Sequence, residues 1–266
     1  MESTHDPVQQ AKGLVRRQFG PNAANYATSE VHAKGASLDR LVTLMEPAPS
    51  WRLLDVAAAA GHTGFSFAPH VAEVVISDLV DEMLDVARNR GEELGLTNVV
   101  FRPADAEALP FDDNSFDAVT CRIAPHHFPC PSRFVSEVAR VLRPGGRFGL
   151  VDNMVGEEAS SFVNDWERRR DPSHVKALSV EAWAELIVET GLSLSHVETL
   201  AKRMVFSAWA DNMDVPAEVR AELLADLEQA PPVAAAYLRP ELGSPGDQAA
   251  AVFHLTEGIL VAEAPE

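Results

Sequence analysis

The 266-residue sequence predicts an α/β fold with a doubly wound, mostly parallel β-sheet. Short apolar runs alternate with amphipathic helical segments between residues 51 and 153, which is typical of parallel strands joined by right-handed helical crossovers. The first run, LLDVAAAAGHTG at 53–64, passes from an apolar strand through small residues into the start of a helix. Small side chains let a turn approach a ligand, and a helix N-terminus presents free N–H groups to it.

The elements follow in a regular order after two N-terminal helical segments, the second of which is stopped by Pro47 and Pro49. The predicted strands of the first part are WRLLDVA, EVVISD, NVVFRPAD, FDAVTCRI and RFGLVDN, with a turn at RPGG before the last of them. After residue 155 the sequence predicts helices in EEASSFVNDWERRRD and SVEAWAELIVETG, a strand in LSLSHVETL, a mostly helical stretch at 201–250 and a final strand within AVFHLTEGILVAEA.

Composition excludes several classes of function. The formal net charge of −18 argues against nucleic acid or an anionic membrane as a partner, since both require clustered Lys and Arg. We expect no membrane span, because no stretch approaches about 18 unbroken apolar residues. The N-terminus MESTHDPVQQ lacks the apolar segment of a secretory signal, and two cysteines suggest no disulfide framework. We therefore expect a cytoplasmic protein.

The second predicted strand ends on an acidic residue, Asp78, some twenty residues after the first strand. A carboxylate at this place can accept hydrogen bonds from ribose hydroxyls. The alternative role of Asp78 is to cap the helix that begins at DEML. The series of strand, turn, helix, strand and acid favours ribose binding and so predicts a nucleoside cofactor.

Four motifs in order resemble the class I S-adenosylmethionine-dependent methyltransferases, in particular the branch related to the ubiquinone and menaquinone C-methyltransferases. The motifs are LLDVAAAAGHTG, ISDLVDEMLDVAR, ADAEALPFDDNSFDAVTCRIAPHHF and RVLRPGGRFGLVDN. The resemblance covers about residues 15–200. It implies a Rossmann-like doubly wound sheet of seven strands with a reversed last strand, N-terminal lid helices and a helical insertion before the last strand.

The same resemblance divides one structural domain into three parts and assigns cofactor contacts. Residues 1–50 are expected to form a lid, 51–155 the S-adenosylmethionine-binding core, and 156–266 the rest of the sheet with a helical substrate cap. The expected contacts run from the methionine part of the cofactor through its ribose to its adenine. The residues implied are Tyr26, Asp55, Ala57, Ala59, Gly61, Asp78, Leu79, Met83, Asp105, Ala106 and Arg122, with His32 near Tyr26.

Within that set, the turn from Asp55 to Gly61 is expected under the methionine part, and Asp105 near the adenine amino group. Met83 has the alternative role of an ordinary core residue. Ala57 and Ala59 depart from the family, which has glycines at these positions. Alanine in a turn that needs φ > 0 costs on the order of 1 kcal/mol. We expect negative φ at both alanines; the alternative is weak cofactor binding or a scaffold used for another purpose.

The segment CRIAPHHFPCP at 121–131 follows the fourth strand and is the predicted place of catalysis. His126 and His127 are the candidate bases, because a neutral imidazole can accept a proton from a phenol or enol. We expect only one of them to face the pocket; alternatively, one caps the next helix and the other packs on the cofactor. Cys121 and Cys130 flank the histidines, but this spacing is not a standard zinc arrangement, and no metal is expected.

The predicted function is methyl transfer from S-adenosylmethionine to a small organic acceptor at oxygen, nitrogen or activated carbon. The alternatives are a non-methylating enzyme such as a cyclase, a ligand-binding module, or a nicotinamide oxidoreductase, whose G-x-G-x-x-G fingerprint is absent. The expected partners are the small-molecule acceptor and, in a homodimer, a second copy of the chain. Candidate walls of the acceptor pocket are Phe162, Trp166, Trp183 and Trp209, with Trp183 more simply a core residue.

Overall fold

A computed structural model of the chain describes residues 6–23, 35–244 and 246–266. Within these residues seven strands form one sheet, in the order β3-β2-β1-β4-β5-β7-β6. The strands are β1 Arg52–Val56, β2 Glu73–Asp78, β3 Val99–Pro103, β4 Phe116–Arg122, β5 Leu142–Asn153, β6 Ser193–Val205 and β7 Val252–Glu263. Strand β7 is antiparallel to both β5 and β6, and the other pairs are parallel. The predicted fold class is confirmed.

Ten α-helices accompany the sheet in the described part of the chain. They are α1 Pro7–Phe19, α2 Ala36–Met45, α3 His62–Phe67, α4 Asp81–Glu93, α5 Pro131–Val141, α6 Glu157–Arg170, α7 Val180–Glu189, α8 Phe206–Asp211, α9 Ala217–Glu228 and α10 Pro232–Leu238. Short 3-10 turns cover Ala68–His70 and Pro125–His127. No helix among the residues described is long and apolar enough to cross a membrane.

The central strands are buried on both faces, which explains their almost continuous apolar sequence. Neighbouring residues of β1 point to opposite sides of the sheet. Leu53 therefore belongs to the core beneath α2, α3 and α4, whereas Leu54 belongs to the core beneath α5 and α7. Trp183 of α7 is fully buried in this second core, as its predicted core role requires.

A third core joins the helices that follow β5. Trp166 of α6 stacks on Trp209 of α8 with ring centroids 4.2 Å apart and planes inclined by 15°. Both rings are buried, and half-buried Phe162 packs against the same cluster. The prediction of Trp166 and Trp209 as pocket walls is wrong, because these large apolar surfaces are used to hold the cap helices together.

The elements differ from the predicted boundaries at three strands. Strand β6 continues to Val205, so residues 201–205 are strand where the sequence predicts mostly helix, because they remain paired with β7. Strand β5 begins at Leu142 and already contains the RPGG segment, for which the sequence predicts a turn. The pairing of β4 with β5 shifts register between Phe116 and Ala118, which accommodates this segment as an irregularity within the ladder. Strand β3 ends at Pro103, so Asp105 lies in the loop that follows rather than in the strand.

Candidate active site

A cavity opens at the carboxyl ends of β1, β2, β3 and β4, where ligands bind in open α/β sheets. Its empty volume is about 1020 Å³ with the open mouth included, which is enough for a nucleoside-sized ligand. Residues of α1 line one side of it. The lining includes most of the predicted cofactor residues, namely Asp55, Ala57, Ala59, Asp78, Leu79, Met83, Asp105, Ala106 and Arg122.

Asp55 connects the turn after β1 to the neighbouring strand. Its Oδ2 accepts a hydrogen bond from the Gly64 amide at 2.8 Å, and its Oδ1 accepts one from Thr120 Oγ1 at 2.9 Å. Burial raises the pKa of Asp55 to about 7, against the lowering effect of these hydrogen bonds. The carboxyl therefore holds α3 against β1 and β4 at the lining of the cavity.

The turn of small residues adopts the left-handed backbone at alternate positions. The φ angles are 51° at Ala57, 46° at Ala59 and 82° at Gly61. The expectation of negative φ at the two alanines is wrong, and the physical reason lies in their neighbours. This path lets the Ala59 amide donate to Asp78 Oδ2 at 2.8 Å, and it lets the Gly61 amide donate to the Ala58 carbonyl at 2.8 Å.

Three of the seven non-glycine residues with positive φ in the described part of the chain line the cavity. Ile123, a β-branched residue, has φ 53° and lines the cavity beside Ala57 and Ala59. Non-glycine residues in the left-handed region are uncommon, and for a β-branched residue the conformation is a clear outlier. Strain of this kind accumulates at binding and catalytic sites, where the surrounding structure enforces it.

Replacing either strained alanine with glycine is expected to stabilise the protein. Relief of the left-handed strain outweighs the greater freedom of glycine in the unfolded chain, so Ala57→Gly and Ala59→Gly should each raise the free energy of unfolding by about 0.5–1 kcal/mol. Ala58→Gly is the matched control, since Ala58 has no positive φ, and it should lower the same quantity. Urea denaturation measures all three, and destabilisation by all three substitutions would contradict the strain argument.

Asp78 bridges the two turns that follow β1 and β2. Its Oδ2 accepts from the Ala59 amide and its Oδ1 from the Val80 amide at 2.9 Å. Helix α4 has Val80 as its N-cap, without a side-chain cap, so the alternative role of Asp78 as N-cap residue is not adopted. Burial raises the pKa of Asp78 to about 6. Met83 lines the cavity and is also buried beside Val80.

Asp105, in the loop after β3, takes part in an ion pair that the strand motifs do not predict. Lys12 Nζ of α1 lies 2.7 Å from Asp105 Oδ2 and 2.7 Å from Glu107 Oε2. Asp105 Oδ1 accepts from the Glu107 amide, and Glu107 Oε1 accepts from the Cys130 amide. The spacing of Lys12, Val15 and Phe19 on one helix face is the signal that indicates a lining helix.

One of the two adjacent histidines lines the cavity, as expected. His127 does so, and its Nδ1 lies 3.0 Å from the carbonyl oxygen of Ser173. A carbonyl only accepts hydrogen bonds, so Nδ1 carries the hydrogen and Nε2 keeps its lone pair in the neutral ring. Burial, and after it the charge of neighbouring His126, lower the pKa of His127 to about 4. The imidazole is therefore neutral at pH 7.

His126 lies behind the cavity lining. Its Nδ1 is 2.6 Å from Oδ1 of Asp152, at the end of β5, and both side chains are buried. Burial works against the charged imidazole, but Asp152 raises the pKa of His126 above its ordinary value. Its carbonyl accepts from the amides of Val175 and Lys176. Both histidines are candidate bases by sequence. In this arrangement His126 does not line the cavity and so does not reach a ligand there.

The remaining predicted residues are distributed as follows. Arg122 lines the cavity and donates from Nε to Thr63 Oγ1 at 3.0 Å. Gly61 shapes the turn without lining the cavity. Tyr26 and His32 fall in 24–34, outside the described residues. Among the residues described there is no cluster of three or more His, Cys, Asp or Glu able to hold a metal ion.

Comparison with known proteins places this site in a family. Residues 54–150 match the family model described as "Methyltransferase domain". The uncharacterized methyltransferase YcgJ of Bacillus subtilis is 37% identical over 214 residues, which are 80% of this chain and 85% of that protein. The crystal structure of YcgJ superposes with a TM-score of 0.82 and 34% identity over 86% of this chain and 98% of that one.

Two further relatives show the range of proteins on this fold. The ubiquinone/menaquinone biosynthesis C-methyltransferase UbiE of Brucella canis is 41% identical over 152 residues, 54% of this chain and 56% of that protein. The [4+2]-cyclase SpnF shares only the fold, with 22% identity, a TM-score of 0.59, and 86% of this chain and 80% of that chain covered. On the matched domain and the near full-length likeness to YcgJ, the chain belongs to the class I methyltransferase family.

Proposed function

We propose that this protein binds S-adenosylmethionine in the cavity and transfers its methyl group to a small organic acceptor. One observation carries the proposal: Asp78 at the end of β2, Asp105 in the loop after β3, the turn after β1 and Arg122 all line one cavity. The cofactor supplies an electrophilic methyl group on its sulfonium when bound. The chain then has to bind it, orient the acceptor and exclude water.

The chemistry of the lining suits the parts of this cofactor. Asp78 can accept hydrogen bonds from vicinal ribose hydroxyls, and Asp105 can accept from the adenine amino group. Arg122 carries the positive charge that pairs with a cofactor carboxylate. Burial of Asp78 removes competing water from such contacts. The two acids match the hydrogen-bond donors of the cofactor, and Arg122 matches its carboxylate. The residues of the cavity therefore fit the cofactor.

The alanines of the turn bear on the alternative of a non-methylating enzyme on the same scaffold. Methyl groups at positions 57 and 59 could prevent the backbone from adopting the left-handed conformation that glycine adopts readily. The backbone instead keeps the left-handed path, and the Ala59 amide still reaches Asp78. This geometry favours a retained cofactor site, and with it methyl transfer over a cyclase that has lost the cofactor.

His127 is the proposed proton acceptor where the acceptor molecule has to lose a proton. Its Nε2 lone pair is kept available because Nδ1–H is used on the Ser173 carbonyl. A neutral imidazole lining the cavity can take a proton from a phenol or enol during the transfer. His126 acts in this proposal only through its neighbour, since it lies behind the lining.

Calorimetric titration of the purified protein tests the proposal. S-adenosylmethionine and its demethylated product S-adenosylhomocysteine are expected to bind with Kd values in the micromolar range, and NADH and NADPH are expected not to bind. Asp78 disfavours the 2′-phosphate of NADPH by charge repulsion, and the turn after β1 lacks the G-x-G-x-x-G fingerprint of nicotinamide cofactor sites. Binding of NADH in preference to both sulfur nucleosides would overturn the proposed function.

A further inference from the structure

Lys12 is the one buried residue of α1. The rest of this helix, from Pro7 to Phe19, is half-buried or exposed. Lysine is seldom buried without an anionic partner, because an ammonium ion loses its hydration there. Val15 and Phe19 of α1 pack against apolar clusters but remain half-buried, so the most buried side chain of the helix is the charged Lys12.

Two carboxylates from the loop after β3 receive that charge. Lys12 Nζ lies 2.7 Å from both Asp105 Oδ2 and Glu107 Oε2, and the Lys12 side chain is 9% exposed. Burial by itself lowers the pKa of Lys12, but its hydrogen bonds to the two carboxylates raise it above the ordinary value. The ammonium is therefore charged at neutral pH, in surroundings where water screens it little.

The residues of the ion pair all line the cavity. Lys12, Val15 and Phe19 follow at helical spacing on one face of α1, and all three line the cavity. Asp105 lines the cavity as well as binding Lys12, so one carboxylate serves both the helix and any ligand beside it. Phe19 also meets the ring of His127 edge-on, with centroids 5.1 Å apart.

We propose that Lys12 is a nucleoside-binding determinant that closes α1 over the adenosyl end of the cavity and sets the rate of ligand release. This inference rests on the proposed function, because the ligand is an adenosyl sulfonium or thioether. The ion pair holds α1 against the loop after β3, so separation of Lys12 from Asp105 and Glu107 speeds the release of a ligand held beneath α1. Because Asp105 binds Lys12 and also lines the cavity, the position of α1 and the binding of a ligand affect each other.

Dissociation of S-adenosylhomocysteine, followed by surface plasmon resonance on the immobilised protein, tests this role. Lys12→Met keeps the length of the side chain and removes its charge, so the dissociation rate is expected to rise about tenfold, as for loss of a buried ion pair. Lys176→Met is the matched control, because Lys176 is exposed outside the cavity, and its rate should equal the wild-type rate. An unchanged rate in Lys12→Met overturns the inference.

Hydrogen exchange of the wild-type protein supplies a test that does not depend on the folding of a variant. Amides of residues 10–19 are expected to exchange about tenfold more slowly with saturating S-adenosylhomocysteine, since the ligand stabilises the closed helix. Unaltered exchange there overturns the role of Lys12. Absence of any binding in the calorimetric titration overturns the proposed function itself. Normal binding with an unchanged dissociation rate in Lys12→Met overturns only the inference about Lys12.

Discussion

Asp78→Asn is expected to weaken binding of S-adenosylhomocysteine about 100-fold while leaving the protein folded. The carboxylate is the proposed acceptor for both ribose hydroxyls, and hydrogen bonds to a charged acceptor are stronger than those to a neutral amide. The amide also turns an N–H donor toward one of the two backbone amides that Asp78 now binds, those of Ala59 and Val80. Isothermal titration calorimetry measures the affinity.

The expected stability of Asp78→Asn follows from the sign of the pKa shift. Burial raises the pKa of Asp78 to about 6, so the folded state holds this proton more tightly than the unfolded chain does. Stability is therefore lost as pH rises from about 4 through 6, where the buried carboxyl ionises. A neutral asparagine avoids that loss at pH 7.5, which offsets the poorer hydrogen bonding. The melting temperature should change by a few degrees at most.

Asp81→Asn is the matched control for this experiment, because Asp81 is an exposed acid three residues along the chain. Its affinity for S-adenosylhomocysteine should equal that of the wild type. Wild-type affinity in Asp78→Asn would contradict the assignment of Asp78 to the ribose. Equal weakening in both variants would instead point to a general effect of charge on α4.

The sheet could be predicted from the sequence because its central strands are buried on both faces. β1 and β2 appear as apolar runs that end on Asp55 and Asp78, and their carboxyl ends meet at one edge of a parallel sheet. The lining of the cavity follows from this order. Local patterns of apolar residues were therefore sufficient to predict the site residues that lie at the ends of strands.

Contacts between distant segments were not predictable in the same way. Lys12 and Asp105 are separated by 93 residues, and neither motif specifies a partner for the other. Hydrophobic periodicity also says nothing of the sign of φ, so the left-handed backbone at Ala57 and Ala59 required the structure. The stacked Trp166 and Trp209 show a third limit, since an aromatic side chain fits a pocket wall and a core equally well by pattern.

Asp152→Ala is expected to lower the free energy of unfolding by about 3 kcal/mol, because it leaves His126 buried without its counter-charge. His126 Nδ1 lies 2.6 Å from Asp152 Oδ1, and the Asp152 side chain is fully buried. Asp113→Ala is the matched control. Asp113 pairs with Arg140 at 2.8 Å, but its side chain is 69% exposed, so the cost should stay below about 1 kcal/mol.

The loss in Asp152→Ala should depend on pH in a defined direction. Asp152 raises the pKa of His126 above its ordinary value, so the pair stabilises the folded state fully below the unfolded pKa, about 6.5, and less as pH rises through the folded value. Urea denaturation at pH 6 and at pH 9 should therefore show the larger deficit at pH 6, whereas the Asp113→Ala deficit stays constant. A deficit that grows toward pH 9 would mean that Asp152 stabilises the site by hydrogen bonding to a neutral imidazole, not by holding a charge beside His127.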